Sequence, residues 1–270
     1  VGVDDAPRTG LIRRGVRALA ESGPYHRLEV LRHERHYARS MDHPADFGAP
    51  DLPRGYGVGL TERAVEFGWV RHHLSTGDVL DAGSALNHQV ILDRVLPVVS
   101  SLTILTLEPE ERSWPERGVR YLYQDLRRLE IPDGTFDMAV SLSTLEHVGL
   151  DNSRFYDSHA PQGNPDDEAQ RAMGELARVV KPGGVLLITV PFGRSWRTDW
   201  VRTLDGDQLD ALVASVDPVA TQENIFRRAP TGWRRVHRDQ AADATYRRFW
   251  SEAVACVAIR LPDARDDAHR

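Results

Sequence analysis

The chain is poor in lysine, cysteine and long apolar runs, and each shortage closes off a class of function. Lys181 is the only lysine among 270 residues, so nearly all the positive charge is arginine, which we read as coding bias rather than a binding device. A formal net charge of -6 argues against a protein that coats nucleic acid, because such binding rests on a basic face that neutralises phosphates. The single cysteine, Cys256, lies in the apolar run "AVACVAI" and cannot close an intramolecular disulfide, which suits a reducing cytoplasm. No apolar stretch approaches the roughly 20 residues of a membrane helix, and the N-terminal residues lack the apolar core of a signal peptide. We therefore expect a cytoplasmic protein with neither membrane nor nucleic-acid partners.

Glycine is short where it is most informative. The stretch "GDVLDAGSALNH", residues 77–88, reads as a strand running into a nucleotide-binding turn, yet only Gly83 remains of the glycines such turns usually carry. A dinucleotide fingerprint needs further glycines because a pyrophosphate packs against the helix start. Ala85 and Asn87 occupy those places, so a tight pyrophosphate grip is not expected.

What is present is alternation. The segments "DVLDA", "LTILTL", "VRYLY", "FDMAVSL" and "GVLLITV" read as short strands, apolar on both faces, separated by helical patterns that include "HQVILDRVLPVV" and residues 166–180. That arrangement calls for an α/β fold, a parallel sheet covered by helices. The helix after Asn164 is sharply punctuated: Asn164 caps it, Pro165 fits its first position, and Asp166, Asp167 and Glu168 suit the positive end of its dipole. "KPGG" is expected to end it. Thr61 is the expected cap of an earlier helix in "LTERAVEFGWVRHHL", "TQENIFRRA" a further strand, and "EAVACVAIRL" the last one.

Three acids fall at strand ends in consecutive units: Asp81, Glu108 and Asp125. At the carboxyl edge of such a sheet, acceptors suit a phosphate-free nucleoside cofactor with a cationic centre, S-adenosylmethionine, with Glu108 on the ribose hydroxyls and Asp125 with the Leu126 N–H on the adenine.

The set "VLDAGSALNH", "LTLEPE", "YLYQDLRRLEIPDGTFDMAVSLSTLEHVG" and "ELARVVKPGGVLLITVPFG" resembles the class I S-adenosylmethionine-dependent methyltransferases, over roughly residues 61–190. The resemblance implies a Rossmann-like sheet of seven strands, mostly parallel, with helices on both faces and an antiparallel last strand. It also implies a donor site made from Asp81, Ala82, Gly83, Ser84, Asn87, Glu108, Gln124, Asp125, Leu126, Ser143 and Thr144. Ser84 and Asn87 are expected to meet the methionine end in place of the absent glycines. The expected organisation is an N-terminal cap segment at 1–60, a methyltransferase domain at 61–262 with a flap at about 149–164, and a polar tail at 263–270.

His147, in "STLEHVG", is the first candidate for a general base, since histidine titrates near neutrality, and His159 in the flap is the second. The arginine–tryptophan stretches "FGRSWRTDW" and "GWRRVHRDQ" read either as a border of the acceptor pocket or as surface arginines beside half-buried tryptophans. The spacing of Asp151, Asp157, His159 and the "DDE" acids matches no metal-ligand motif, so no metal is expected. The resulting expectation is O-methylation of a small molecule or glycosyl acceptor. The rivals are a protein that keeps the fold without the transfer chemistry and an NAD-dependent oxidoreductase.

Overall fold

A computed structural model describes residues 24–153, 155–156, 162–247 and 250–263. Helix α1 (Pro24–Asp42) precedes α2 (Arg63–His73), after which strands and helices alternate: β1 (Asp78–Ala82), α3 (Gln89–Val95), β2 (Ser101–Thr106), β3 (Arg120–Tyr123), β4 (Phe136–Leu142), α4 (Pro165–Val179) and β5 (Val180–Pro191). The small hairpin β6 (Trp196–Arg197) and β7 (Arg202–Thr203) leads to α5 (Gly206–Ala214), β8 (Ala220–Ala229) and β9 (Gly232–Val236). A second small hairpin, β10 (Tyr246–Arg247) and β11 (Trp250–Ser251), precedes the last strand, β12 (Ala253–Arg260).

The main sheet runs β3-β2-β1-β4-β5-β12-β8-β9. Strands β3, β2, β1, β4 and β5 pair in parallel, while β12 is antiparallel to both β5 and β8. The seven expected strands are present with "EAVACVAIRL" inserted antiparallel, and an eighth, β9, is added at the edge. "GWRRV" reads poorly as a strand because it is short and rich in arginine. It pairs because Trp233 is buried at 1% exposure beneath the N-terminal segment, with its indole N–H donating to Leu60 O.

Both faces of the sheet are covered, which is why the strands carry little polar alternation. Leu80, Leu186 and Ile188 join one core with Met173 and Leu176 of α4 and Leu209 of α5. Their neighbours Val79 and Leu187 point the other way, into a core with Phe67 and Trp69 of α2 and Ile91 and Leu92 of α3. Trp69 is completed by a buried hydrogen bond from its ring N–H to Asn224 Oδ1 at 3.0 Å. Among the described residues, no helix is long and apolar enough to cross a membrane.

Helix α4 begins as expected, with Asn164 Oδ1 accepting from the Asp166 N–H at 3.2 Å and Pro165 in the first turn. Asn164→Ala is expected to lose about 1 kcal/mol of stability, read from the urea midpoint; an unchanged midpoint would show the cap is idle. The other end differs from expectation. The helix stops at Val179 and "KPGG" already belongs to β5, where Val180 pairs with Phe136 across a register shift. A side chain at Gly184 would press on the Asp137 and Lys181 carbonyl oxygens at 2.8 Å, so these glycines serve the tight entry into the sheet. Helix α2 is likewise entered through Glu62, without a side-chain cap bond, rather than through Thr61.

Candidate active site

Strand order reverses between β1 and β4, so the connections leaving their carboxyl ends part and open a crevice. The walls of that crevice are Gly83 after β1, Thr106 and Leu107 at the end of β2, Gln124, Asp125 and Leu126 after β3, and Ser143, Thr144 and His147 after β4. Arg63 from α2 and Asn152, Phe155 and Tyr156 from the segment after β4 complete it.

Gly83 has φ +117°, and a side chain there would strike Thr144 Oγ1 and lie 2.7 Å from Thr144 Cγ2. The turns after β1 and β4 therefore touch through this one residue, and only glycine permits it. Asp81 braces the turn from below. It is 0% exposed, its Oδ2 accepts from the Leu86 N–H at 2.7 Å, and burial pushes its carboxyl up to about 7 against the pull of that bond.

At the β3 side, Asp125 is gripped by Arg127, whose Nε and Nη2 donate to its two oxygens at 2.9 and 2.6 Å. Burial raises the Asp125 carboxyl, but the bonds from Arg127 outweigh it and hold the group below its ordinary range. Arg127 also donates to Glu168 in the first turn of α4 at 2.8 Å, which ties this wall to that helix. Gln124 Oε1 accepts from the Glu130 N–H. Glu108 is half-buried just past the end of β2.

His147 sits in the single-turn helix Leu145–His147. Its Nδ1 lies 2.6 Å from Trp200 O, and because a carbonyl only accepts, Nδ1 must carry the proton. The lone pair is therefore on Nε2, which stands 3.9 Å from Glu146 Oε1, beyond hydrogen-bond reach. Burial lowers the imidazole to about 4, more than the Trp200 carbonyl raises it, so the ring is neutral at physiological pH. The ring stacks on Trp200 at 5.5 Å and meets Phe155 edge-on at 5.3 Å; Phe155 is 51% exposed at the crevice mouth.

Behind this wall lies a group of buried acids. Glu66 Oε1 accepts from Ser143 Oγ and from Thr189 Oγ1, both at 2.5 Å, and its Oε2 accepts from Arg63 Nη1 at 3.0 Å. Glu62 is held at about 7 by burial and then by the neighbouring Glu66, although the Ser251 N–H donates to it. Burial also drives Glu146 well above the carboxylate range, and its Oε2 finds no partner among the described residues. A carboxyl whose folded pKa is raised stabilises fully below its unfolded value and loses that contribution as pH rises through the folded value. Glu62→Gln should therefore gain on the wild type between about pH 4.5 and pH 8, by on the order of 3 kcal/mol. Thermal melts across that range check this, and a gap independent of pH would overturn it.

Residues 83–188 match the family model described as a methyltransferase domain. The chain carries an S-adenosylmethionine-dependent methyltransferase domain. No curated protein sequence matches it. Among solved structures, a SAM-dependent methyltransferase of Methanosarcina mazei is similar at 14% identity over 72% of this chain and 98% of that one, with a TM-score of 0.49. The Burkholderia thailandensis 1,6-didemethyltoxoflavin-N1-methyltransferase, solved with 1,6-didemethyltoxoflavin and S-adenosylhomocysteine, shares 16% identity over 97% and 94%, with a TM-score of 0.48. The [4+2]-cyclase SpnF shares 18% over 85% and 94%, also at 0.48. At these identities and scores the likeness speaks to neither substrate nor reaction.

The methyltransferase brings Gly83, Gln124, Asp125, Leu126, Ser143, Thr144 and His147 onto one crevice. This set fits the donor: apolar Leu105, Leu107 and Leu126 suit a flat base, Gln124 and Asp125 offer polar edges, and Gly83 keeps the turn low. Asp81 and Ala82, both 0% exposed, lie beneath the wall rather than on it. Asn87 is turned elsewhere: its amide donates to Glu110 and to Arg112 O, and its oxygen accepts from Tyr121 Oη. It pins the β2–β3 connection instead of facing the crevice. Ser84 Oγ is buried without a partner among the described residues.

His159 lies outside the described residues, as does Asp157. Among the described residues no three acids, histidines or cysteines are grouped as metal ligands. Of the "DDE" acids, Asp166 pairs with Arg202, Asp167 accepts from Asn164 Nδ2 and Glu168 pairs with Arg127. Neither arginine–tryptophan stretch lines the crevice: "FGRSWRTDW" stands one layer behind it, where Trp200 stacks on His147, and "GWRRVHRDQ" contributes β9 and the exposed His237. Sequence reading missed Arg63 and Arg127. Arg127 carried a signal, two residues beyond the strand-end acid it grips; Arg63 carried none.

Proposed function

We propose that this methyltransferase methylates a hydroxyl group of a small molecule or glycosyl acceptor, with His147 as general base. The observation that supports this is the tautomer of His147: Nδ1 is committed to the Trp200 carbonyl, so the neutral lone pair belongs to Nε2 of a residue that lines the crevice. The donor supplies a methyl group already activated on a sulfonium sulfur. The chain's residues then have to align the acceptor, keep water out and take the hydroxyl proton.

In this reading Glu108 holds the ribose, Gln124, Asp125 and Leu126 surround the adenine, and Gly83, Ser143 and Thr144 border the reacting end. The proton moves from the acceptor oxygen to His147 Nε2. The described part of the segment at about 149–164 acts as a flap over the acceptor in a domain spanning 61–262; the cap expected at 1–60 and the polar tail at 263–270 fall partly outside the described residues. Phe155, backed by Trp200, gives the acceptor an aromatic wall.

The test is transfer from S-adenosylmethionine to a panel of hydroxyl and amine acceptors, beside calorimetric titration with S-adenosylhomocysteine and with NAD as control. Transfer to hydroxyls that depends on His147 supports the proposal. Transfer confined to amines and indifferent to His147 removes it.

A further inference from the structure

The donor's methionine end carries a carboxylate, and the turn after β1 has little left to bind it. The Gly83 N–H donates to Leu105 O, the Leu86 N–H to Asp81, the Asn87 N–H to Ser84 O and the His88 N–H to Leu86 O. Both ends of the Asn87 amide are spent as well. These bonds go to the turn itself, to Asp81 beneath it and to Leu105 of β2, and Ser84, buried with its Oγ unpartnered among the described residues, offers no charge, so a carboxylate needs a cationic partner from elsewhere.

Two arginines line the crevice. Arg127 stands at the β3 end and is committed to Asp125 and Glu168. Arg63 stands at the β4 end, held by a bond from Nη1 to Leu142 O at 3.2 Å and by its pair with Glu66. Its Nε and Nη2 donate to no described residue, and 30% of the side chain is exposed. Glu66 is fixed in turn by Ser143 and Thr189, so the guanidinium is held in place before any ligand arrives. Since Asp125 lies after β3, a donor with its base there and its amino-acid end toward β1 and β4 brings its carboxylate to Arg63.

We infer that Arg63, from a helix outside the matched domain segment, is the residue that holds the donor's methionine carboxylate. The inference rests on the methyltransferase reading above and explains how a one-glycine turn keeps a donor. A guanidinium fork presents paired N–H groups to a carboxylate, which a lysine cannot reproduce.

The test compares S-adenosylhomocysteine, its decarboxylated analogue and 5′-methylthioadenosine, which lacks the amino-acid end, by calorimetry on the wild type, Arg63→Met and Arg63→Lys. The wild type should prefer S-adenosylhomocysteine over the decarboxylated analogue. Both substitutions should weaken S-adenosylhomocysteine roughly 10- to 100-fold and leave 5′-methylthioadenosine unchanged. If Arg63→Met does not fold because Glu66 is left unpaired, Arg63→Lys retains the charge and carries the comparison. Variants that keep the wild-type preference, or lose both ligands equally, overturn the inference. A folded wild type that binds none of the three overturns the donor reading itself.

Discussion

His147→Asn is expected to lower kcat for a hydroxyl acceptor by roughly 10²- to 10⁴-fold while leaving the Kd for S-adenosylhomocysteine unchanged. Asparagine is the informative replacement because its amide N–H can still donate to Trp200 O, as His147 Nδ1 does at 2.6 Å, so the Leu145–His147 turn keeps its tie while the Nε2 lone pair disappears. A loss confined to kcat separates proton transfer from acceptor binding, which would appear in KM.

The pH profile supplies an independent check. A base works only when unprotonated, and burial holds His147 at about 4 rather than near the ordinary 6.5. Activity should therefore stay level as pH falls through 6.5 and decline only toward 4. Stability has its own sign: with the folded pKa below the unfolded one, the neutral ring contributes fully above about 6.5 and loses that contribution as pH falls toward 4. The wild type should lose more stability than His147→Asn over that interval. A variant as fast as the wild type on hydroxyls would mean that His147 lines the crevice without acting as base, whereas an acid limb near 6.5 that disappears in the variant would keep the base and overturn only the lowering by burial.

Gly83→Ala is the second large effect. The new methyl group would run into Thr144, and alanine at φ +117° is strained whatever the space. Overpacking and backbone strain together amount to on the order of 3 kcal/mol, a fall in Tm of roughly 6–12 °C for a domain of this size. Relief of one element tests the other. Adding Thr144→Gly to Gly83→Ala removes the atoms the methyl group strikes but not the strained φ, so it should restore part of the lost Tm. S-adenosylhomocysteine binding should weaken in the single variant, since the turns after β1 and β4 border one crevice. A Gly83→Ala protein that melts with the wild type would refute the contact between the two turns.

Much of the architecture is legible because it is local. Strand runs such as "DVLDA" and "FDMAVSL" announce burial on both faces, and Asn164-Pro165 announces a helix start through bonds made within a few residues. Where local cues misled, the reason was a distant contact. "KPGG" looks like a helix stop until Val180 is seen paired with Phe136, and "GWRRV" looks like a loop until Trp233 is found under Leu60.

The candidate site divides in the same way. The acids at the ends of strands, the lone glycine of the turn and the histidine after β4 stand in the sequence, since the chain order of strands dictates which loops share the carboxyl edge. Which side chains face the crevice is another matter. Asn87 turns away because Tyr121, Glu110 and Arg112 claim its amide; His147 keeps its lone pair on Nε2 because Trp200, far along the chain, takes its Nδ1; and Arg63 enters because Glu66 and Leu142 hold it there. The sequence by itself determined the sheet, its crevice and the class of donor. Only tertiary structure decided which groups keep a free lone pair or N–H to offer, because that depends on partners brought near by folding rather than by chain order.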